Sequence, residues 1–573
     1  MFWVDAVCIN QKSNWEKNHQ VPLMAKIYES ATNVCVWLGD PEDSAALSQL
    51  DYEGVGYVPP PTDKGPLALA LIKKIRYLRE YDRVVEDGTE CREWEALIDL
   101  MKRPWFSRRW VVQEIALARD ATLHSGKWEI QWTEFADAVA LFEHMADRVR
   151  KKFKASPEYN NHPDFIGDVK NLSASRLVSF TTNIVRRKAD GTISKKNYTL
   201  ESLVSRLTQF EASSSHDIIY SLLSLAKDVP GSEAVDDFKK DAADVKNSIA
   251  KGEDLVELKP RERQLALRAA ANLRVYKYPV NYAQAFYEVC RDFMEFATGK
   301  SGSLDMICRP WVPHRDIKSQ SLPSWIRSLE YKSHAKDRDG NYTRVYADSL
   351  VGQPENKTYT ASGRYPPEWT FSKDPNIRSL TVKGFLLDVV AKRKETALSG
   401  SIPKKWHEFA GWKHGQDPPP DQFWRTIVAD RGPDGRVCPG HYIRACQEAF
   451  QEKAEGGDLN TGRIIDRLNS TIMNEFLRRV ESVVWGRRLI RTEAHYLFGL
   501  APSDPIDTKK GDLICILAGC SVPVILRKKG VNEQSGKVYY KLVGECYIHG
   551  MMDGEAFEIK KKDKVSFEHF EIR

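Results

Sequence analysis

The chain of 573 residues lacks the motifs that mark the common classes of enzyme and metalloprotein. Its ten cysteines are scattered and include no Cys-x-x-Cys pair of the kind that binds zinc. It has no Gly-rich phosphate loop, no Gly-x-Ser-x-Gly elbow and no His-Glu-x-x-His helix. These absences argue against zinc sites, conventional kinases, esterases and metalloproteases. Unpaired, scattered cysteines predict a reduced protein of the cytoplasm.

Long hydrophobic runs are also missing. The longest, Leu513 to Leu526, spans 14 residues and is interrupted by Gly519 and Pro523. It is too short for a membrane span and predicts two strands instead. Asp5 breaks the apolar start of the chain, so no secretory signal is predicted.

Charge of either sign is not in large excess. The 85 Lys and Arg residues against 79 Asp and Glu residues give a net charge of +6. Short basic runs, such as Arg186-Arg187-Lys188, are more simply solvated surface than a binding stripe. A nucleic-acid partner is therefore not predicted.

The first eleven residues carry a strand pattern that starts without any lead-in. Phe2, Val4, Val7 and Ile9 favour β-structure. Ser13 and Glu16 then fit a capping box, which predicts a helix start. With a second strand at 34 to 38, the segment predicts a strand, helix, strand unit of a parallel sheet.

Further along, a helix is predicted from Ser107 as N-cap to Ala118, followed by a strand at 121 to 124. Asp217 precedes an apolar run and suits a helix N-cap. The predicted organisation comprises an α/β domain at 1–150, a helical extension with a polar excursion at 151–230, a charged linker at 231–263, a mixed α/β helical region at 264–486 and a β-rich barrel or sandwich at 487–573.

Five blocks of the sequence carry a resemblance to a known family. They are Asp5 to Gln11, Val36 to Gly39, Arg103 to Glu114, Ala121 to Gly126 and Ile219 to Ala226. Together they resemble the fungal heterokaryon incompatibility (HET) domain. Members usually carry an upstream block, Ala-Leu-Ser-Tyr-x-Trp-Gly, which this sequence lacks. The resemblance therefore implies a HET domain without its leading strand.

What the resemblance implies about function is non-self recognition and programmed cell death in a fungal cell. The trigger would be a protein partner or self-association. Two alternatives stay open: an enzyme that cleaves NAD, with NAD as substrate and no bound cofactor, and a truncated, non-catalytic interaction protein.

Glu114 is the candidate catalytic residue. Trp110 and Glu114 are four residues apart and share one face of the predicted helix. Their block resembles the Trp-x-x-x-Glu helix of TIR domains, in whose NAD hydrolases the glutamate is catalytic, and this implies a TIR-like parallel sheet flanked by helices. The competing interpretation is that Trp110 is core and that Glu114 pairs with Arg108 or Arg109.

Six residues form the candidate ligand-binding set, and no metal site is predicted. They are Asp5, Asn10, Gln11, Trp37, Arg109 and Trp110. Asp5 inside an apolar run needs hydrogen bonds if buried, so it either orders the next loop or faces a ligand. Cys8 has no histidine beside it to favour a nucleophilic role. The dyad His216-Asp217 lacks the further ligands of a metal hydrolase and is predicted to be a loop and a cap.

Overall fold

The computed structural model describes residues 2–39, 64–79, 81–88, 91–159, 166–229, 278–336, 342–374, 376–398, 400–403, 405–412, 418–451, 458–468, 470–503, 506–532, 536–561 and 566–573. These divide into two compact units, Met1–Phe286 and Tyr287–Arg573. The predicted charged linker at 231–263 lies outside the described residues.

The first unit is mainly helical, with one small sheet and a hairpin. Its described helices are α1 Asp5–Cys8, α2 Asn14–Ser30, α3 Gly65–Ile75, α4 Tyr81–Arg83, α5 Cys91–Met101, α6 Val111–Leu117, α7 Trp132–Ala155, α8 Ser173–Ile184, α9 Leu200–Arg206 and α10 Asp217–Tyr220. Its described strands are β1 Val34–Trp37, β2 Ala121–Ser125, β3 Trp128–Gln131, β4 Val185–Arg187 and β5 Ile193–Lys196.

The predicted opening strand is wrong. Residues 5–8 form the single turn α1, and Phe2 and Val7 are 90% and 82% exposed. Asp5 stabilises this turn because its Oδ1 accepts a hydrogen bond from the Ala6 amide at 2.8 Å. β-forming residues make a strand only where a neighbouring strand pairs with them, and the described residues place none beside this segment. The strand, helix, strand unit at the start of the chain is wrong for the same reason.

The predicted start of α2 is confirmed. Ser13 is the N-cap, and its Oγ accepts a hydrogen bond from the Glu16 amide at 3.2 Å. The helix continues through Pro22 to Ser30 and buries Val21 and Met24.

The sheet is mixed rather than wholly parallel. Strand β1 pairs in parallel with β2, with Val34 opposite Ala121, and β2 pairs antiparallel with β3. The two-residue turn Gly126-Lys127, with Gly126 at φ 54°, makes β2 and β3 a hairpin and so forces the antiparallel pairing.

Aromatic side chains form the core between the helices of this unit. Trp94 of α5 stacks on Phe142 of α7 with ring centroids 5.3 Å apart, and Phe106 stacks on Phe135 at the same separation. All four rings are buried. Each buried ring removes a large apolar area from water, so this cluster fixes α5 and the 3-10 turn Pro104–Ser107 against α7.

The second unit combines helices with a large sheet. Its described helices are α11 Phe286–Ser301, α12 His314–Ser319, α13 Lys405–Phe409, α14 Asp421–Ile427, α15 Tyr442–Gln451, α16 Thr461–Leu468, α17 Thr471–Val484 and α18 Glu555–Lys561. Its described strands are β6 His334–Lys336, β7 Tyr342–Arg344, β8 Gly352–Gln353, β9 Asn356–Lys357, β10 Trp369–Phe371, β11 Leu380–Thr396, β12 Ser401–Ile402, β13 Leu459–Asn460, β14 Arg487–Thr492, β15 Phe498–Pro502, β16 Leu513–Leu517, β17 Val524–Val531, β18 Val538–Glu545, β19 Tyr547–Ile548 and β20 Glu568–Ile572.

Five of these strands close into a barrel. The ring runs β11, β16, β17, β18, β20 and back to β11, and only the β18–β20 pairing is parallel. Apolar side chains fill its interior, among them Phe385, Leu387, Ile514, Ile516, Ile525 and Val543. The β-rich C-terminal module is therefore present. Its sheet includes β11, which precedes residue 487 in the chain by almost a hundred residues.

None of the helices within the described ranges combines the length and apolar character needed to cross a bilayer.

Candidate functional site

Glu114 lies in the first turn of the short helix α6. The 3-10 turn Pro104–Ser107 precedes it, and Trp110, not Ser107, is the N-cap. The Trp110 carbonyl accepts a hydrogen bond from the Glu114 amide at 3.1 Å. The Ser107 hydroxyl donates to the Pro104 carbonyl and so does not cap the helix. The rest of α6 is buried while Glu114 is only partly so, and its carboxylate therefore stands where the helix meets the surface.

Three side chains, Asp5, Tyr28 and Arg108, interact electrostatically with this carboxylate. Burial raises the pKa of Glu114 to about 7, with Arg108 opposing the rise and Asp5 adding to it. Burial raises the pKa of Tyr28 in α2, and the negative charges of Glu114 and Asp5 raise it further. We call Asp5, Tyr28, Arg108 and Glu114 the carboxylate cluster.

The cluster can act as a proton acceptor or donor near neutral pH. A carboxyl group with a pKa of about 7 is populated in both protonation states there. Arg108 is exposed, so the cluster has an open side toward solvent. Trp3 packs edge-on to Tyr28 at 5.7 Å between ring centroids, which adds an aromatic surface beside the acids.

Of the predicted ligand-binding residues, Asp5 interacts electrostatically with Glu114 and raises its pKa. Asn10 and Gln11 fix the turn between α1 and α2: Asn10 Oδ1 accepts from the Lys12 amide at 3.1 Å, and Gln11 Nε2 donates to the Asp5 carbonyl at 3.1 Å. The Gln11 side chain therefore ties the backbone of Asp5 to this turn.

Trp110 and Arg109 turn toward the interior of the first unit. The Trp110 indole Nε1 donates to Asp217 Oδ2 at 3.1 Å, and the Tyr282 hydroxyl donates to Asp217 Oδ1 at 2.5 Å. Arg109 is buried and donates from Nη1 to the Leu207 carbonyl at 2.7 Å. Burial lowers the pKa of Arg109 to about 9, and the nearby Asp217 opposes that change.

Asp217 is therefore not the helix cap that the sequence predicted. The N-cap of α10 is His216, whose side chain makes no capping hydrogen bond. The Asp217 carboxylate instead accepts hydrogen bonds from Trp110 and Tyr282. Burial raises the pKa of Asp217, and the two hydrogen bonds counteract that rise because they favour the charged form. His216 itself contacts the Gln284 carbonyl through Nε2 at 2.9 Å.

Trp37 lies on the edge strand β1, with its indole 59% exposed. Its neighbour Val36 is buried, because alternate residues of a strand face opposite sides. The described part of the chain contains no group of three His, Cys, Asp or Glu side chains placed to hold a metal ion.

Sequence reasoning missed Tyr28 as a member of the cluster and Tyr282 as a partner of Asp217. In the sequence, Tyr28 belongs to an apolar stripe with Val21, Met24 and Ala31 at helical spacing. A tyrosine in such a stripe needs a polar partner for its hydroxyl once buried, and this was the available signal. Tyr282 lies 65 residues beyond Asp217, and no local pattern indicates a contact over such a distance.

Comparison with known proteins supports the family resemblance at both ends of the chain. Residues 1–114 match the heterokaryon incompatibility protein (HET) family, and residues 443–567 match the Het-6 beta-barrel domain. Heterokaryon incompatibility protein 6, OR allele, of Neurospora crassa is 32% identical over 138 residues, which cover 22% of this chain and 20% of that protein. No solved structure matches the chain.

The HET match ends at Glu114, and the barrel match contains strands β14 to β19 of the second unit. Residues 1–114 of the chain are thus similar to the heterokaryon incompatibility protein family, and residues 443–567 to the Het-6 beta-barrel domain.

Proposed function

We propose that the chain acts in fungal non-self recognition, where its first unit sets off programmed cell death. The observation that carries this proposal is the HET match over residues 1–114. The Neurospora crassa relative is a heterokaryon incompatibility protein by name. In this proposal the protein works in the cytoplasm and is triggered by a protein partner or by self-association.

The test is inducible expression of the full chain in a fungal host. Loss of viability on induction is expected. A matched chain from residue 287 onward, which retains the second unit, should leave viability unchanged. Normal growth with the full chain folded and abundant would sink the proposal.

A second candidate is cleavage of NAD by the carboxylate cluster, in keeping with the TIR-like fold that the sequence block Trp110 to Glu114 implies. The observation that favours it is the partly buried Glu114, with a pKa of about 7 and Asp5 and Tyr28 beside it. Nicotinamide leaves as a neutral molecule from a cationic substrate, so no general acid is required. Glu114 would hold the ribose hydroxyls and stabilise an oxocarbenium-like transition state.

Incubation of the purified chain with NAD, followed by measurement of released nicotinamide, tests this candidate. The rate should rise with pH through about 7 as Glu114 ionises, and Glu114→Gln should abolish it. Glu129→Gln, which changes an exposed carboxylate on β3, is the matched control and should keep the wild-type rate.

The variant Glu114→Gln distinguishes cell death through NAD cleavage from cell death through binding alone. Cell death that disappears in Glu114→Gln together with NAD cleavage supports the enzyme. Cell death that persists in Glu114→Gln supports recognition through binding alone, as in the non-catalytic alternative.

A further inference from the structure

Two cysteines of the second unit lie thiol to thiol. The Sγ atoms of Cys308 and Cys520 are 3.8 Å apart and share a hydrogen bond. Both side chains are buried, with 5% and 0% of their surface exposed. Cys308 follows the 3-10 turn Asp305–Ile307, and Cys520 lies in the turn between β16 and β17.

The backbone around the two thiols holds them together independently of their own contact. The Leu304 amide donates to the Gly519 carbonyl at 2.9 Å, and the Ser303 hydroxyl donates to the same oxygen at 3.2 Å. The Ser521 amide donates to Asp305 Oδ1 at 2.7 Å. These bonds flank Cys308 on one side and Cys520 on both, so the sulfur atoms remain neighbours when either side chain changes rotamer.

We propose that Cys308 and Cys520 form a reversible intramolecular disulfide when the protein meets a hydroperoxide. Cys308 sulfur attacks one peroxide oxygen, the O–O bond breaks, and the alcohol or water leaves, which produces a sulfenic acid on Cys308. Cys520 sulfur then attacks Cys308 sulfur, the S–O bond breaks, and water leaves with the Cys520 proton. The thiols lose two electrons in total, and the peroxide gains two.

Burial of the two thiols should make their oxidation slow. Thiolates are the reactive form, and the hydrogen bond to Cys520, followed by burial, raises the pKa of Cys308 well above its usual range. The guanidinium of Arg327 lies close enough to Cys308 for their charges to interact, which favours the thiolate. Exposed Cys8 and Cys35 are expected to react first, and the pair later.

The disulfide would fasten one part of the second unit to another. Cys520 belongs to the segment that matches the barrel family, whereas Cys308 lies upstream of it. The bond would close a loop of 212 residues, and cross-links over long loops restrict the unfolded chain most. The oxidised barrel therefore resists unfolding more than the reduced barrel does.

The experiment exposes the full chain to hydrogen peroxide, alkylates the remaining thiols in denaturant and digests the protein without reductant. Mass spectrometry should find a peptide pair joined through Cys308 and Cys520, lighter by two hydrogens than the separate peptides. The melting temperature of the second unit should rise by roughly 5 °C and return on treatment with dithiothreitol.

Matched variants keep the result interpretable. Cys520→Ser should lose both the joined peptide and the rise in melting temperature. Cys446→Ser, which changes another fully buried thiol, should retain both. Oxidation of Cys8 and Cys35 with no joined peptide at Cys308 and Cys520 would overturn the proposal, as would a rise in melting temperature that survives in Cys520→Ser.

Discussion

Trp110 donates its indole N–H to the carboxylate of Asp217 at 3.1 Å, although the two residues are 107 positions apart. Asp217 also accepts from Tyr282, whose amide donates to Asn18 Oδ1 at 2.8 Å. One buried carboxylate thus joins the N-terminus of α6 to α10 and to the segment before α11. The position of Glu114 depends on this junction, because α6 begins at Trp110.

Breaking the junction should destabilise the first unit in a non-additive way. Trp110→Phe and Asp217→Ala remove the two partners of one hydrogen bond, so a double-mutant cycle should give a coupling energy of about 1–2 kcal/mol. Urea unfolding of the four proteins measures it. Tyr77→Phe, at an exposed tyrosine of the same unit, is the control and should shift nothing. A coupling energy indistinguishable from zero would contradict the junction.

The raised pKa of Glu114 has a stability consequence with a definite sign. The native state binds this proton more tightly than the unfolded chain, because the pKa moves from 4.5 to about 7. The resulting stabilisation is complete below the unfolded pKa and is lost as pH rises through 7. Relative to Glu114→Gln, the wild type should lose about 1–2 kcal/mol of unfolding free energy between pH 4.5 and pH 8, after allowance for partial exposure.

Denaturant titrations at several pH values check this, with Glu129→Gln as the control that keeps the wild-type pH dependence. A wild type that gains stability over Glu114→Gln as pH rises would show that Glu114 is ionised and paired in the native state.

Two ion pairs of equal length in the second unit should differ in importance. Arg487 and Glu545 lie 2.7 Å apart and are about one-tenth exposed, with side-chain values of 8% and 10%. Lys383 and Glu368 are also 2.7 Å apart, but their side chains are 35% and 55% exposed. Glu545→Ala should lower the free energy of unfolding by about 3–5 kcal/mol, since it leaves a buried guanidinium without its carboxylate partner, while Glu368→Ala should change the free energy of unfolding little.

Thermal or urea unfolding of the two alanine variants measures the contrast. Glu545 also accepts the Leu350 amide at 2.8 Å, so its loss removes a second buried bond. Similar costs for both variants would show that burial does not determine the strength of these pairs.

Gly384 of β11 is needed for barrel closure. A Cβ atom at this position would lie 2.5 Å from the Ile516 carbonyl oxygen, which belongs to the neighbouring strand β16. Gly384→Ala should therefore cost about 1–3 kcal/mol through forced separation of the two strands. Gly536→Ala is an instructive control because its Cβ meets nothing within 4 Å, although its φ of +65° makes it mildly strained. Equal costs at both positions would contradict the packing argument.

Local patterns predicted the elements that depend on local chemistry. The Ser13 cap and the strands near 34 to 37 and 121 to 125 follow from capping and strand propensity. The first eleven residues failed because strand propensity is fulfilled only by a neighbouring strand, and a single turn forms instead.

The candidate site was predictable only in part. Resemblance to the TIR helix singled out Glu114, and an apolar run singled out Asp5; the two charges interact. Trp110 was left open between core and ligand cleft, and its indole binds Asp217. That choice between core and cleft depends on a residue 107 positions away, which periodicity cannot detect.

The order of the barrel strands sets when this part of the chain can fold. Strand β20, Glu568–Ile572, lies between β11 and β18, and β11 is complete by residue 396. During synthesis, β11 must wait for about 170 further residues to leave the ribosome before its last neighbour is available. Until then the apolar faces of Phe385 and Leu387 depend on partial pairing or on chaperones for cover, so translation of the final strand is the step that commits the barrel to its native state.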